Sequence, residues 1–445
     1  MNARFALRPF ALLVTASLVL SACLGTAATP VPTTAPASVA PASSTPTEEA
    51  PTPTPEITGT VTFWNGYAAD GEEITTFTDV VLPAFNKLYP TITVKHQEIP
   101  YDDLRQKLVT GLAGGTLPDV LRADIIWVPE FADQGVLLAL DEAMPDFADI
   151  TAGMFPGPVS TNKWGDHYYG LPLDTNTRVL FYNTKMFTEA GVSAAPTNVD
   201  ELEAAFAKVK ATFGADHYGY AEGGTGPWSV MPWVWSFGGD ITDEALTKAT
   251  GILNGAATVA AVTRLKSWLD EGYLSPSILG GGLATSEQFG NYTAAMILEG
   301  PWMPGIFKNQ FPALTYEYAT VPAGPAGSAS VVGGEDIVVF KATQNQEAAL
   351  AFIRFMVSEE AQLAMGKVGQ MPVLQSLAGS TELPDYYPMF QEQLKTAKAR
   401  TPVPSWPKID ETVSNAVLKA LRGDATVQAA LDEAATTVDG LLAGN

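Results

Sequence analysis

The stretch that decides the fold is Asn291–Gly305, NYTAAMILEGPWMPG. Its centre, Ala294 to Leu298, is short, apolar and bounded by polar residues and glycine, the pattern of a buried strand. Glu299-Gly300-Pro301 ends the run, because glycine admits unusual backbone angles and proline cannot donate to a sheet ladder. Trp302 is therefore expected on a turn just past the strand. In open α/β sheets, ligands bind outside the carboxyl ends of the strands. An indole displayed there is a flat, stiff, apolar platform. The plainer alternative is that Trp302 is core, as tryptophans are highly buried on average.

Outward from this stretch the chain reads alternately as strand and helix. Thr60 to Trp64 (TVTFW) has strand character and stops at Asn65-Gly66. Asp70 to Tyr89 reads as a helix with Ile74, Phe77, Val81, Phe85 and Leu88 on one face, closed by Pro90. A second strand (Thr91 to Glu98) and a second helix (Tyr101 to Leu112) follow. This β-α-β-α order predicts a largely parallel, doubly wound sheet. Further along, Arg178 to Tyr182 and Tyr316 to Val321 read as strands. Helices are expected over Asp200–Lys210, Ala257–Glu271, Asn345–Met365, Ile409–Arg422 and Val427–Leu442. Trp228 falls in a Gly-Thr-Gly-Pro-Trp loop, and at least one of Trp233 and Trp235 is expected in the core.

At 445 residues the chain is long enough for two domains with full cores. A formal net charge of −23 argues against nucleic acid and anionic membrane surfaces as partners. One Cys excludes an internal disulfide, and the three His have no metal-like spacing, so no metal or cofactor is expected. No nucleophile elbow or other catalytic motif stands out, and no catalytic residues are assigned.

The N-terminus reads as an address and a tether. Residues 1–22 carry Arg4 and Arg8 ahead of an apolar run, Phe10 to Leu20, too short to span a bilayer and suited to a signal peptide. It ends in Leu20-Ser21-Ala22-Cys23, which resembles the bacterial lipobox. A diacylglycerol on Cys23, usually with an N-acyl chain, would meet the two-chain requirement for stable anchoring. Residues 23–56 are rich in Pro, Thr and Ala and cannot pack a core. As an extended tether at ~3.1 Å per residue they would reach on the order of 100 Å.

Several segments together resemble family 1 extracellular solute-binding proteins, the maltose-binding-protein-like receptors of carbohydrate ABC importers. They are Ala294–Trp302, Leu117-Pro118-Asp119-Val120 with Trp127 and Gln134-Gly135, Tyr169–Asn183, Val331–Phe340 and Met371-Pro372-Val373. The resemblance runs from Thr60 to Leu442. It implies an α/β, two-lobed periplasmic-binding-protein-like fold of type II, each lobe a sheet flanked by helices, with the ligand cleft between them. It divides the chain into 57–173 with 333–385 and 174–332 with 386–445. The protein is then a monomer that captures a sugar of two or more rings and delivers it to permease subunits, held to the outer face of the cell membrane by Cys23. It is not an enzyme on this reading.

The resemblance, with the position of these residues at strand ends, nominates a set of cleft residues. Trp302 and Trp228, with Trp64 or Trp127, are to stack on sugar faces. Asn65, Asp124, Asp174, Asn176, Glu335 and Asp336 are to bond hydroxyls, and Gly334 is to let the backbone approach the ligand. Simpler roles stay open: Asp119 as a turn brace, and Asp174, Asn176, Glu335 and Asp336 as turn residues. Two other readings stay open as well. One keeps the receptor fold for a polyamine or glycerol phosphate, and the other is an extracellular glycoside-active enzyme. A phosphate would want Arg or Lys in the cleft, and none of the nominated stretches is basic.

Overall fold

The computed structural model describes residues 56–444 apart from Asp70. The signal peptide, Cys23, the tether up to residue 55 and the expected helix start at Asp70 lie outside the described residues.

In chain order the strands are β1 (Gly59–Asn65), β2 (Ile92–Glu98), β3 (Val120–Asp124), β4 (Lys163–Trp164), β5 (His167–Tyr168), β6 (Gly170–Pro172) and β7 (Asn176–Thr177). Then come β8 (Val179–Asn183), β9 (Tyr218–Ala221), β10 (Ala294–Glu299), β11 (Tyr316–Ala319), β12 (Ser330–Gly333), β13 (Glu335–Val339) and β14 (Ala397–Lys398). One sheet runs β2-β1-β3-β13-β6 and a second β11-β8-β10-β9. A small third sheet, β14-β12-β7, and the hairpin β4-β5 complete the set.

The first sheet corrects the expectation of a largely parallel ladder. β1 is parallel to β2 and β3, but β13 is antiparallel to both β3 and β6. Glu335 at the start of β13 pairs with Asp124 at the end of β3. β13 thus enters from the side where β3 ends, and must run against it. The second sheet repeats the device: Val179 at the start of β8 pairs with Glu299 at the end of β10, antiparallel, while β10 and β9 are parallel. Periodicity reports burial, not direction, so neither reversal is visible in the residue pattern.

Each sheet has its own apolar core. Phe63 of β1 packs against Phe77 and Phe352, with ring centroids 5.5 and 5.2 Å apart. In the second lobe, Phe206, Trp233 and Trp268 meet edge to face beneath β9 and β10. The last two helices, Trp406–Arg422 and Val427–Leu442, place Ile409, Val413, Leu431 and Val438 in that same core.

Three helical expectations are corrected. Residues 73–88 follow one helical path but widen to a π turn over Phe77–Val81. Asn345–Met365 is two helices, Gln346–Met356 and Glu359–Gly366, because Ser358 turns its hydroxyl onto the amide of Ala361 and caps a new start. Trp228 lies not in a loop but in the first turn of the helix Pro227–Ser236, whose opening proline is suited to that position. Trp233 and Trp235 of that helix are both buried. No helix among the described residues is long and apolar enough to cross a membrane.

Candidate ligand cleft

The end of β3, the start of β13, Asn176 of β7 and the turn after β10 border a cavity of about 680 Å³. Its lining comes from both sheets' surroundings, and the two walls differ in chemistry.

One wall is aromatic. Trp302 follows β10 and the Gly300-Pro301 turn, as its sequence position requires. Gly300 is needed there: a Cβ would sit 2.1 Å from the Trp302 ring, which folds back over it. The Trp302 and Trp228 rings lie 6.4 Å apart at 27°. A sugar ring between them would need about 3.5–4.0 Å on each side, so the pair forms one platform rather than a sandwich. Buried Arg178 fixes both supports: its guanidinium donates to the carbonyls of Leu298 and Trp228 and pairs with Glu222 at 2.9 Å. Trp406, at the start of the helix Trp406–Arg422, also lines the cavity while wholly buried, and its Nε1 has no hydrogen-bond partner among the described residues.

The other wall is charged and internally paired. Arg122, in the middle of β3, donates to Gln370 at 2.6 Å and pairs with Glu335 at 2.8 Å and Asp174 at 3.2 Å. Gln370 in turn donates to Glu73 at 2.7 Å. Burial, reinforced by the Asp174 carboxylate, pushes Glu335 well above the usual carboxyl range against the pull of Arg122. Burial likewise raises Asp174 and Glu73. Burial opposes the charge on Arg122 as well, but Glu335 and Asp174 outweigh it and hold the guanidinium charged. Two further guanidiniums line the cavity, and both are paired: Arg400 with Asp124 at 3.0 Å and Arg105 with Glu130 at 2.8 Å.

The structure brings together Asp124, Trp127, Asn176, Trp228, Trp302, Gly334 and Glu335 on the cavity lining. It leaves four nominated residues off it. Trp64 is inside β1, where alternation sends Phe63 and Asn65 to one face and Trp64 to the other. Its ring lies under the Lys107 ammonium at 4.5 Å and lines a separate surface hollow with Asp103 and Gln106. Asn65 is buried, its Oδ1 accepting from the amide of Tyr67. Asp336 neighbours Glu335 on a strand and therefore faces away, bonded to Asn162 and Thr161; burial pushes its carboxyl well up. Asp174 sits behind Arg122 rather than on the lining. Trp127 touches the cavity but is only 3% exposed. Asp119 braces its turn, accepting from the amide and hydroxyl of Thr62 and the hydroxyl of Thr343.

Sequence reasoning missed Tyr101, Arg122, Gln370, Arg400 and Trp406. A usable signal existed for Arg122 and Arg178, each a lone cation in a run expected to be buried, since buried charges must be paired. The cleft is therefore not free of cations, contrary to the sequence expectation, although each guanidinium on it is met by a carboxylate. Among the described residues no group of three or more His, Cys, Asp or Glu is placed to hold a metal.

Gly334 separates β12 from β13 with φ of +138°, and a Cβ there would lie 2.5 Å from the carbonyl oxygen of Asp174. The chain segments at Asp174 and Gly334 thus pass in backbone contact. They also pair directly, Gly333 with Asn176 and Val332 with Thr177.

Comparison with known proteins agrees with this architecture. The family model for bacterial extracellular solute-binding proteins matches residues 68–363. A binding protein of Brucella abortus is 28% identical over 375 residues, 81% of this chain and 89% of that protein. The maltooligosaccharide ABC transporter solute-binding lipoprotein of Streptococcus pneumoniae is 24% identical over 75% of this chain and 78% of its own length. The GacH receptor of Streptomyces glaucescens, solved unliganded and in complex with acarbose, superposes with a TM-score of 0.79 at 24% identity, covering 87% of this chain and 99% of that one. With two sheets bordering one cleft, the chain belongs to the bacterial extracellular solute-binding proteins.

Proposed function

We propose that the protein captures a carbohydrate of more than one ring in the cleft and delivers it to membrane permease subunits. One observation carries this reading. Beside the Trp228–Trp302 platform, the buried polar atoms without a hydrogen-bond partner among the described residues include the acceptor Oδ1 of Asn176 and the donor Nε1 of Trp406. Leaving such groups unpaired costs about 1–3 kcal/mol each. A hydroxyl both donates and accepts, whereas an ammonium only donates and an ionised phosphate only accepts. A polyhydroxylated ligand with apolar ring faces therefore meets both atoms and the indoles together. The paired state of Arg105, Arg122 and Arg400 speaks against glycerol phosphate in the same way.

Trp302, Trp228, Asn176, Gly334 and Glu335 are the proposed contacts, with Asp124 and Trp127 supporting the first-lobe wall from behind. The lobes are taken as 57–173 with 333–385 and 174–332 with 386–445. A ligand that touches both is bound best when they close, so it shifts the hinge equilibrium toward the closed form. The chain acts as a monomeric receptor without catalysis, anchored outside the cell by lipid on Cys23.

The test is a thermal-shift screen of residues 57–445 against mono- to tetrasaccharides, spermidine and glycerol 3-phosphate, with small-angle scattering of each hit. Ligand binding to the native state alone raises the midpoint. A raised midpoint and a smaller radius of gyration are expected with one sugar class, and the sugar should be recovered unchanged. A shift only with spermidine or glycerol 3-phosphate would overturn the carbohydrate assignment.

A further inference from the structure

We propose that Tyr101 is the carbohydrate-stacking ring of the first lobe, an inference that rests on the carbohydrate reading above. The sequence nominated Trp64 and Trp127 for that task. The first is outside the cleft and the second lies beneath its surface. Tyr101 opens the helix Tyr101–Gly114, directly after Ile99-Pro100 at the carboxyl end of β2. It lines the cavity and is 42% exposed, unusual for a large ring. Its underside lies on Trp127, centroids 5.7 Å apart at 23°. Among the described residues no other ring or cation stacks on it.

The ring is also held at its edge. The phenol donates to Oδ2 of Asp124, whose Oδ1 accepts from the amide of Ile126 and from Arg400 at 3.0 Å. Arg400 belongs to the segment after β14 and lies over Trp228, its guanidinium carbon 5.2 Å from the ring centroid. Asp124 is thereby committed to fixing Tyr101 and to bridging the lobes, rather than to receiving sugar hydroxyls. A ring fixed on one face and one edge, with the other face open to a cavity, is a preorganised platform that loses little freedom when a ligand covers it. It gives a sugar an apolar surface on the lobe whose wall is otherwise charged. Because Arg400 reaches Asp124 from the second lobe, the platform is fully pinned only with the lobes together.

The experiment is calorimetric titration of wild type, Tyr101→Leu, Tyr101→Phe and Tyr101→Trp with a panel of glucose, maltose, maltotriose, cellobiose, galactobiose and xylobiose, with Tm measured for each variant. For the panel sugars that wild type binds, Tyr101→Leu should weaken affinity by about tenfold or more. Phe and Trp should stay within about threefold of wild type, a rescue that a purely structural role would not produce. Wild-type affinity in Tyr101→Leu overturns the proposal. So does equal loss in Leu and Phe, which would assign the effect to the hydroxyl. If wild type binds spermidine or glycerol 3-phosphate and no sugar, the carbohydrate reading fails first and this one falls with it.

Discussion

The two walls of the cleft are built from the residue types that sugar sites use, yet they are in opposite states. On the charged wall, Arg122, Glu335, Asp174, Gln370 and Glu73 are tied to one another by ion pairs and hydrogen bonds. On the aromatic wall, Trp302 and Trp228 form a platform beside atoms of Trp406 and Asn176 that find no partner among the described residues. The difference teaches that a carboxylate or guanidinium beside a cleft is not thereby a ligand group. Groups tied into a charged network hold shape first, and the aromatic wall is left the larger share of recognition.

The comparison breaks if the charged wall governs affinity or the aromatic wall governs stability. The largest effect is expected from Arg122→Met, which leaves buried carboxylates without their cation and should cost about 3–5 kcal/mol in urea unfolding at neutral pH. That loss should be smaller at pH 5 than at pH 8, because protonated carboxyls need no cation. Next, Trp302→Ala should lose about 2 kcal/mol of sugar affinity, roughly 30-fold by titration, while losing less than that in stability. Asp119→Ala removes three accepted hydrogen bonds off the cavity lining and should cost about 2 kcal/mol of stability with unchanged affinity.

A smaller effect sharpens the picture through pH. Glu335 has a native pKa raised above its ordinary 4.5 by burial and by Asp174. The native state therefore holds that proton more tightly than the unfolded chain. Its stabilisation is fully present below pH ~4.5 and is lost as pH climbs through the raised native value. Relative to wild type, Glu335→Gln should accordingly gain stability between pH 5 and pH 8, read as the difference in Tm. The smallest effect is predicted for Trp64→Phe, which should leave sugar affinity unchanged.

Trp64 and Trp302 also mark how far the residue pattern reaches. Both stand near the carboxyl end of a strand, and both were legible as such. Trp302 lies beyond a Gly-Pro break, so it has left the ladder and faces the cleft. Trp64 is still within β1, where alternation decides its side, and the hydrophobic pattern did not say which side meets the cavity. Glu335 and Asp336 failed to separate for the same reason, being neighbours on one strand with opposite faces. Helices and strands with clear periodicity were readable, and strand direction was not. The Arg122 network was out of reach in another way. It joins residues from β3, the start of β13 and the loop holding Gln370, which only the folded sheet order brings together.

The backbone contact at Gly334 has a mechanical consequence. With the lobe boundaries proposed above, two of the three chain crossings touch without side chains between them and would act as a flexure, confining rotation of one lobe against the other to a narrow axis. Displacement grows with distance from that axis. Asn176 and Gly333, which lie on it and also line the cavity, keep nearly the same spacing at every angle, so a ligand can register there before the jaws move. The exposed pair Lys308–Glu72, 2.7 Å apart and remote from the crossings in the chain, links residues that the proposed boundaries assign to different lobes and would be among the last contacts made. Recognition would begin at the pivot, and commitment would be sealed at the lips.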